Sequence, residues 1–157
     1  MLKKYIITFF ISMVPLVELR GGVPFGTGMG LPWHWCLIVS MIGNMVPVPL
    51  IFFFARRLLT WGKDKKVIGK FCSFCLNKGE RGGKKLQEKA GRGIYVALLL
   101  FVGIPLPGTG AWTGTLAASI LDLDFKKSIV AVVLGVLLAG IIMTLVSQGV
   151  KTGISLF

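Results

Sequence analysis

Glu18 and Arg20 are the residues of this chain whose types and spacing are best suited to chemistry. They are an acid and a base set beside a run of helix breakers in an apolar part of the sequence. A charge at the centre of a membrane helix costs about 2.5 to 3.5 kcal/mol on insertion scales, so its presence suggests a function. In unwound backbone both side chains can turn to one cavity, Arg20 to bind an anion and Glu18 to exchange a proton. The alternative is a structural ion pair at an interface.

Further contacts with cargo are expected in two glycine- and proline-rich stretches and in the span between them. Asn44 would hydrogen-bond either cargo or a neighbouring helix, and Trp112 would either stack on cargo or anchor a hairpin. The complete set expected to bind cargo or an ion is Glu18, Arg20, Gly26, Thr27, Gly28, Asn44, Pro105, Pro107, Gly108, Thr109, Gly110 and Trp112.

The residue sets of common enzymes and metal sites are missing from the sequence. The chain has one histidine, His34, which lies between two tryptophans and near no second candidate ligand. Cys72 and Cys75 have C-x-x-C spacing, but no second pair completes a tetrahedral zinc site. The glycine-rich stretches lack the G-K-[ST] ending of a nucleotide-binding loop. We therefore expect no enzyme activity, no cofactor and no bound metal.

The composition is that of a membrane protein. Hydrophobic residues make up 54% of the 157 residues and charged residues 15%, with a mean hydropathy of +0.80. The net charge of +12 is concentrated between Arg56 and Arg92, where twelve Lys and Arg face three acids. A basic loop of this length stays in the cytoplasm by the positive-inside rule, so its expected partners are anionic lipids and not nucleic acid.

The apolar residues form two short runs and two long ones. Tyr5 to Val17 and Ile94 to Val102 are shorter than the roughly 20 residues that cross a bilayer. Trp33 to Ala55 and Ser128 to Val146 are full-length spans, and Pro47 and Pro49 predict a kink inside the first of these. Each short run precedes a breaker-rich stretch, and each stretch precedes a span.

This order predicts an internal repeat within one membrane domain. VPFGTGMGLP (23–32) and PLPGTGAWTG (105–114) share a proline followed by Gly-Thr-Gly. We expect an all-α integral membrane fold in which residues 1–55 and 94–157 form an inverted repeat around a basic cytoplasmic loop, 56–93. Each half would hold a broken, reentrant hairpin and one transmembrane helix, with residues 18–30 and 104–115 unwound. The alternative is four plain crossings whose glycines serve helix packing.

Three motifs resemble a known family. ELRGGVP at 18–24, Gly43-Asn44 followed by Pro47-Val-Pro49, and PLPGTGAWTGTLAA at 105–118 are similar to the small multi-drug export protein family, over nearly the whole chain. That family in turn resembles the DedA-like membrane proteins, which carry two facing reentrant hairpins and are implicated in moving polyprenyl-phosphate lipids. DedA-like proteins typically have arginines around the proline of the second hairpin, and this chain has none there.

The repeat and the resemblance together predict a small transporter of the inner (plasma) membrane with several crossings. We expect proton-coupled export of a small molecule between the two glycine- and proline-rich loops, in a homodimer, because one small subunit offers few walls. One alternative is a DedA-like lipid flippase or scramblase, and a second is a membrane scaffold that transports nothing.

Overall fold

The protein, a computed structural model, is described at residues 2–15, 17–64, 69, 70, 73, 77, 91, 93–106 and 109–155. Pro107, Gly108, Cys72 and Cys75 lie outside the described residues, as does most of the basic loop. Within the described part, all regular secondary structure is helical, which confirms the expected all-α class. The long helices are α1 (Leu2–Met13), α2 (Glu18–Gly28), α3 (Trp33–Met45), α4 (Pro47–Gly62), α5 (Gly93–Gly103), α6 (Ala111–Ile120) and α7 (Phe125–Ser155).

Two stretches are long and apolar enough to cross a membrane, Trp33–Gly62 and Phe125–Gly153. The first joins α3 to α4 through Val46, and α4 begins at Pro47. Proline lacks a backbone N–H and its ring crowds the carbonyl four residues earlier, so it is tolerated at the start of a helix but bends a continuing one. The helix is interrupted at Val46, next to the prolines that predict a kink.

The expectation that residues 18–30 are unwound is wrong. Residues 18–28 form α2, with Pro24 inside the helix, and the non-helical backbone comes earlier, at described residues 14, 15 and 17. The glycines serve close packing: a Cβ on Gly22 would collide with the Ser12 hydroxyl, and one on Gly26 would lie 2.8 Å from the Cys36 sulfur. Each glycine costs a helix about 1 kcal/mol, which the contacts with α1 and α3 offset.

Of the unwound backbone expected at 104–115, only the first part is found, because residues 111–115 lie in helix α6. Helix α5 ends at Gly103, described residues 104–106 and 109–110 are non-helical, and the helix resumes at Ala111. The proposed pairing of the two Gly-Thr-Gly motifs is therefore wrong, because the first closes a helix while described residues of the second lie in the break. The reason is the position of the proline. Pro24 lies inside α2, before its end, whereas Pro105 follows the end of α5.

The turns that follow α2 and α6 have the same geometry. Leu31 donates its N–H to the Gly26 carbonyl at 3.1 Å, and Leu123 donates to Ala118 at 3.0 Å. A left-handed residue precedes each donor, Gly30 with φ +81° and Asp122 with φ +56°. This is the Schellman pattern that ends many helices.

Contacts near these turns show the relative directions of the helices. Lys4 bonds to the Met29 carbonyl beside the first turn, and Tyr95 lies under the Lys127 ammonium beside the second. Further along, a Cβ on Gly103 would lie 2.7 Å from Leu138. Helices α5 and α7 thus run in the same direction, and the α1 start lies beside the turn that leads into α3.

Helix α7 holds the two halves together. A Cβ on Gly135 would lie 2.7 Å from the Leu99 carbonyl oxygen of α5, and one on Gly140 would collide with Leu37 of α3. These small residues permit close contact between the helices. Val132 and Val136 on α7 are almost fully buried.

Candidate functional site

Glu18 caps a helix in the other half of the chain. Its Oε1 accepts the Trp112 N–H at 2.9 Å and its Oε2 accepts the Ala111 N–H at 3.1 Å. These are the first N–H groups of α6, which have no partner within that helix. Glu18 is 4% exposed and takes the left-handed φ of +52°, which costs a non-glycine residue of the order of 1 kcal/mol or more.

Gly110 makes room for that carboxylate. Its φ is +143°, a conformation that side-chain-bearing residues rarely adopt. A Cβ at this position would lie 2.7 Å from the Glu18 carboxyl carbon and closer still to Oε2. Both the backbone conformation and the space require glycine here.

Arg20 binds the other side of the same break. Its Nη2 donates to the Val102 carbonyl at 3.2 Å, the Ile104 carbonyl at 3.1 Å and the Thr109 hydroxyl at 2.8 Å, while Nη1 donates to the Leu106 carbonyl. Val102 and Ile104 lie at the end of α5, where carbonyls have no partner within the helix. We name these contacts of Glu18 and Arg20 with residues 102–106 and 109–112 the junction.

The junction explains why an acid and a base two residues apart occur in an apolar fold. A broken helix exposes carbonyls at one end and N–H groups at the other, and in a membrane no water is available to satisfy them. Helix dipoles place partial negative charge at the α5 end and partial positive charge at the α6 start. Arg20 therefore binds the carbonyl end of α5, and Glu18 binds the N–H end of α6.

A cavity of about 270 Å³ opens beside the junction. Its lining surface is mostly apolar, and a carboxylate, two threonine hydroxyls and an indole contribute to it: Pro15, Glu18, Ile51, Thr109, Trp112, Thr113 and Leu116. The Trp112 Nε1 is buried and has no hydrogen-bond partner among the described residues. Such a volume is close to the lower end of small-molecule sites, about 300 Å³.

The structure brings together one part of the predicted site and separates the other. Glu18, Arg20, Thr109, Gly110 and Trp112 meet at the junction, with Pro105 in the same break.

Gly26, Thr27 and Gly28 lie at the far end of α2, about 15 Å along the helix from Glu18. The Thr27 hydroxyl donates to the Val23 carbonyl of its own helix at 2.8 Å. Asn44 is 2% exposed, and its Oδ1 has no partner in the described part of the chain, but it does not line the cavity beside Glu18. None of these four residues contributes to the junction.

Four cavity residues are absent from the expected set: Pro15, Ile51, Thr113 and Leu116. Pro15 lies in the break between α1 and α2. A proline near the end of a short apolar run indicates such a break, so the sequence did carry a signal for this residue. Ile51 lies in a uniformly apolar helix, so no sequence signal distinguishes it from its neighbours.

The two long apolar stretches and the helices of the described residues suggest a small α-helical membrane protein. A family model described as "Putative small multi-drug export protein" matches residues 18–142, and the chain belongs to this family. The resemblance expected from the motifs is confirmed. No curated protein and no solved structure matches the chain.

Proposed function

We propose that the protein exports small organic molecules and that the cavity beside Glu18 binds the cargo. Membership of an export-protein family supports transport in general. The observation that carries the assignment to this cavity is the Trp112 indole, which lines it with a buried Nε1 that has no partner among the described residues. Buried donors are normally paired, so the unpartnered Nε1 distinguishes this indole from an ordinary packing residue.

The cavity chemistry suits an aromatic cation. The Trp112 ring offers a face for stacking, and the Glu18 carboxylate supplies negative charge in apolar surroundings. Thr113 adds a hydroxyl to the lining. A planar, positively charged dye such as ethidium is therefore the probe of choice.

We further propose that the halves form an inverted repeat in the plasma membrane, with the loop end inside. The repeated turn geometry at 25–31 and 117–123 supports the repeat. Lys151 shares a cavity with Gly28, which places the α7 end near the first turn, whereas Lys127 lies near the α5 start. Both ends of the described chain then lie outside, opposite the basic loop.

A homodimer would complete the open side of the cavity.

The geometry of the junction supports the proposal of proton coupling. A proton on Glu18 removes the negative charge that holds the first N–H groups of α6, and the favourable interaction with the helix dipole is lost with it. The α6 start, with Trp112, is then free to move relative to Glu18. Binding of a proton would thus change the shape of the cavity that holds cargo.

The test uses purified protein in vesicles with an acidic lumen and external ethidium. Glu18→Gln keeps an acceptor oxygen but cannot titrate, so we expect a folded protein whose dye accumulation no longer responds to the pH gradient. Asp124→Asn is the matched control, because Asp124 also caps a helix: its Oδ1 accepts the Lys127 N–H at 2.9 Å. This cap is not part of the junction. Full gradient-dependent accumulation by Glu18→Gln would overturn proton coupling, and no accumulation by the wild type would overturn export of this cargo class.

The exporter is favoured over a lipid flippase that clamps phosphate. The two terminal nitrogens of Arg20 already donate to four protein oxygens. A phosphate would have to displace some of these oxygens from the guanidinium. A scaffold without transport leaves the unpartnered Trp112 donor unexplained.

A further inference from the structure

A second cavity lies on the other side of α5, away from the junction. It is an open groove of about 560 Å³ between α5 and α7. Tyr95, Val96 and Leu99 form one wall, and the other wall is formed by Lys126, Lys127, Val130, Ala131 and Leu134. The proposed export route does not use this groove.

The groove has a charged mouth and an apolar floor. Lys126 and Lys127 lie at the start of α7, and Leu134 is seven residues further, about 10 Å along the helix. Val130 is 58% exposed and Val96 56% exposed, so the floor is uncovered in the single chain. An acyl chain matches this floor in chemistry, and part of its length would cover it.

The mouth is a built arrangement. The Lys127 ammonium lies 5.8 Å from the centre of the Tyr95 ring, and the Tyr95 hydroxyl accepts the Asp124 N–H at 3.3 Å. The Asp124 carboxylate is engaged in capping α7 through the Lys127 N–H. Asp122, in the same turn, also has an interaction partner.

We propose that this groove binds an anionic phospholipid, with one acyl chain on the apolar floor and the phosphate held by Lys126 and Lys127. Charge complementarity selects the headgroup, because each lysine near an anionic surface strengthens binding about fivefold. The same end of α5 follows the basic loop, so the site lies at the membrane interface that attracts anionic lipid. The inference rests on the proposed orientation in the membrane but not on transport of cargo.

The experiment uses the full chain in bilayers that contain phosphatidylglycerol or phosphatidylcholine with a photoreactive diazirine on the acyl chain. The readout is the yield of crosslinks to residues 95–99 and 130–134, mapped by mass spectrometry, which separates this site from general attraction to the basic loop. We expect the phosphatidylglycerol probe to label the groove at least fivefold more than the phosphatidylcholine probe.

Two variants and a matched control make the test specific. Lys126→Gln with Lys127→Gln should reduce phosphatidylglycerol labelling to the phosphatidylcholine level, a loss of at least fivefold. Lys3→Gln with Lys4→Gln removes the same charge near the first turn and should leave the labelling unchanged. Val130→Trp fills the floor at an exposed position and should reduce labelling by both probes.

Three results would overturn the inference. The first is equal labelling by the two lipids. The second is an equal loss of labelling in the Lys3 and Lys4 variant and in the Lys126 and Lys127 variant. The third is loss of labelling when inorganic phosphate is added, because this would indicate a site for soluble anions. Groove labelling by phosphatidylglycerol in a protein that moves no ethidium would count against the proposed export alone.

Discussion

The Glu18 carboxylate and the Trp112 backbone N–H, 94 positions apart in sequence, are joined by a hydrogen bond of 2.9 Å. The bond ties the start of α2 in the first half to the start of α6 in the second. Because Trp112 also lines the cavity, the charge on Glu18 and the position of the indole are linked through one peptide group. This link makes the junction a suitable place for coupling a proton to cargo.

Replacing Gly110 by alanine should destabilise the protein and impair dye export. The φ of +143° costs a side-chain-bearing residue about 1 to 3 kcal/mol, and the added Cβ would push the Glu18 carboxylate from its place. Thermal unfolding in detergent and ethidium accumulation measure the two effects. Gly28→Ala is the control, because a Cβ there meets open space and should leave both quantities unchanged. A Gly110→Ala protein as stable and active as the wild type would contradict the junction geometry.

Arg20→Lys should lower stability although the charge is kept. Arg20 donates to four oxygens from two nitrogens, whereas lysine has one nitrogen with three protons and a different reach. Each lost bond to a charged donor is worth about 1.5 to 3 kcal/mol. The measurement is the midpoint of thermal unfolding. Arg57→Lys, at an exposed position near the end of α4, is the control, and equal behaviour of the two variants would count against a structural role of the Arg20 fork.

The sequence was sufficient to find one side of the junction and not the other. Glu18 and Arg20 could be identified because charges beside an apolar run are costly. Their partners could not, since they are mostly backbone groups, and a peptide N–H or carbonyl carries no signature of residue type. The Gly-Thr-Gly motifs misled for a related reason: glycine serves close packing at Gly26 and a left-handed bend at Gly110, and composition does not separate these uses.

The proposed orientation predicts which residues react from outside the cell. In a variant without Cys36, Cys72 and Cys75, single cysteines at Lys3 and Lys151 should react with an impermeant maleimide in intact cells. A cysteine at Lys63, beside the end of α4, should react only after permeabilisation. Reaction of residues 3 and 63 from the same side would exclude the inverted repeat and favour four plain crossings.

Gly43→Ala and Gly135→Ala should have similar effects if the two halves are built alike. A Cβ on Gly43 would collide with the Phe9 carbonyl oxygen, and one on Gly135 would lie 2.7 Å from the Leu99 carbonyl oxygen. In each case the partner is the backbone of the first helix of the same half, which cannot rotate away as a side chain can. Overpacking of this kind costs about 1 to 3 kcal/mol.

For a chain of this size each kcal/mol lowers the unfolding midpoint by about 2 to 4 °C, so both variants should show a measurable loss in detergent. Gly149→Ala, where a Cβ meets open space on α7, should be neutral or slightly more stable than the wild type, since alanine favours a helix. A loss in only one of the two halves would show that the matching turns do not extend to matching helix packing.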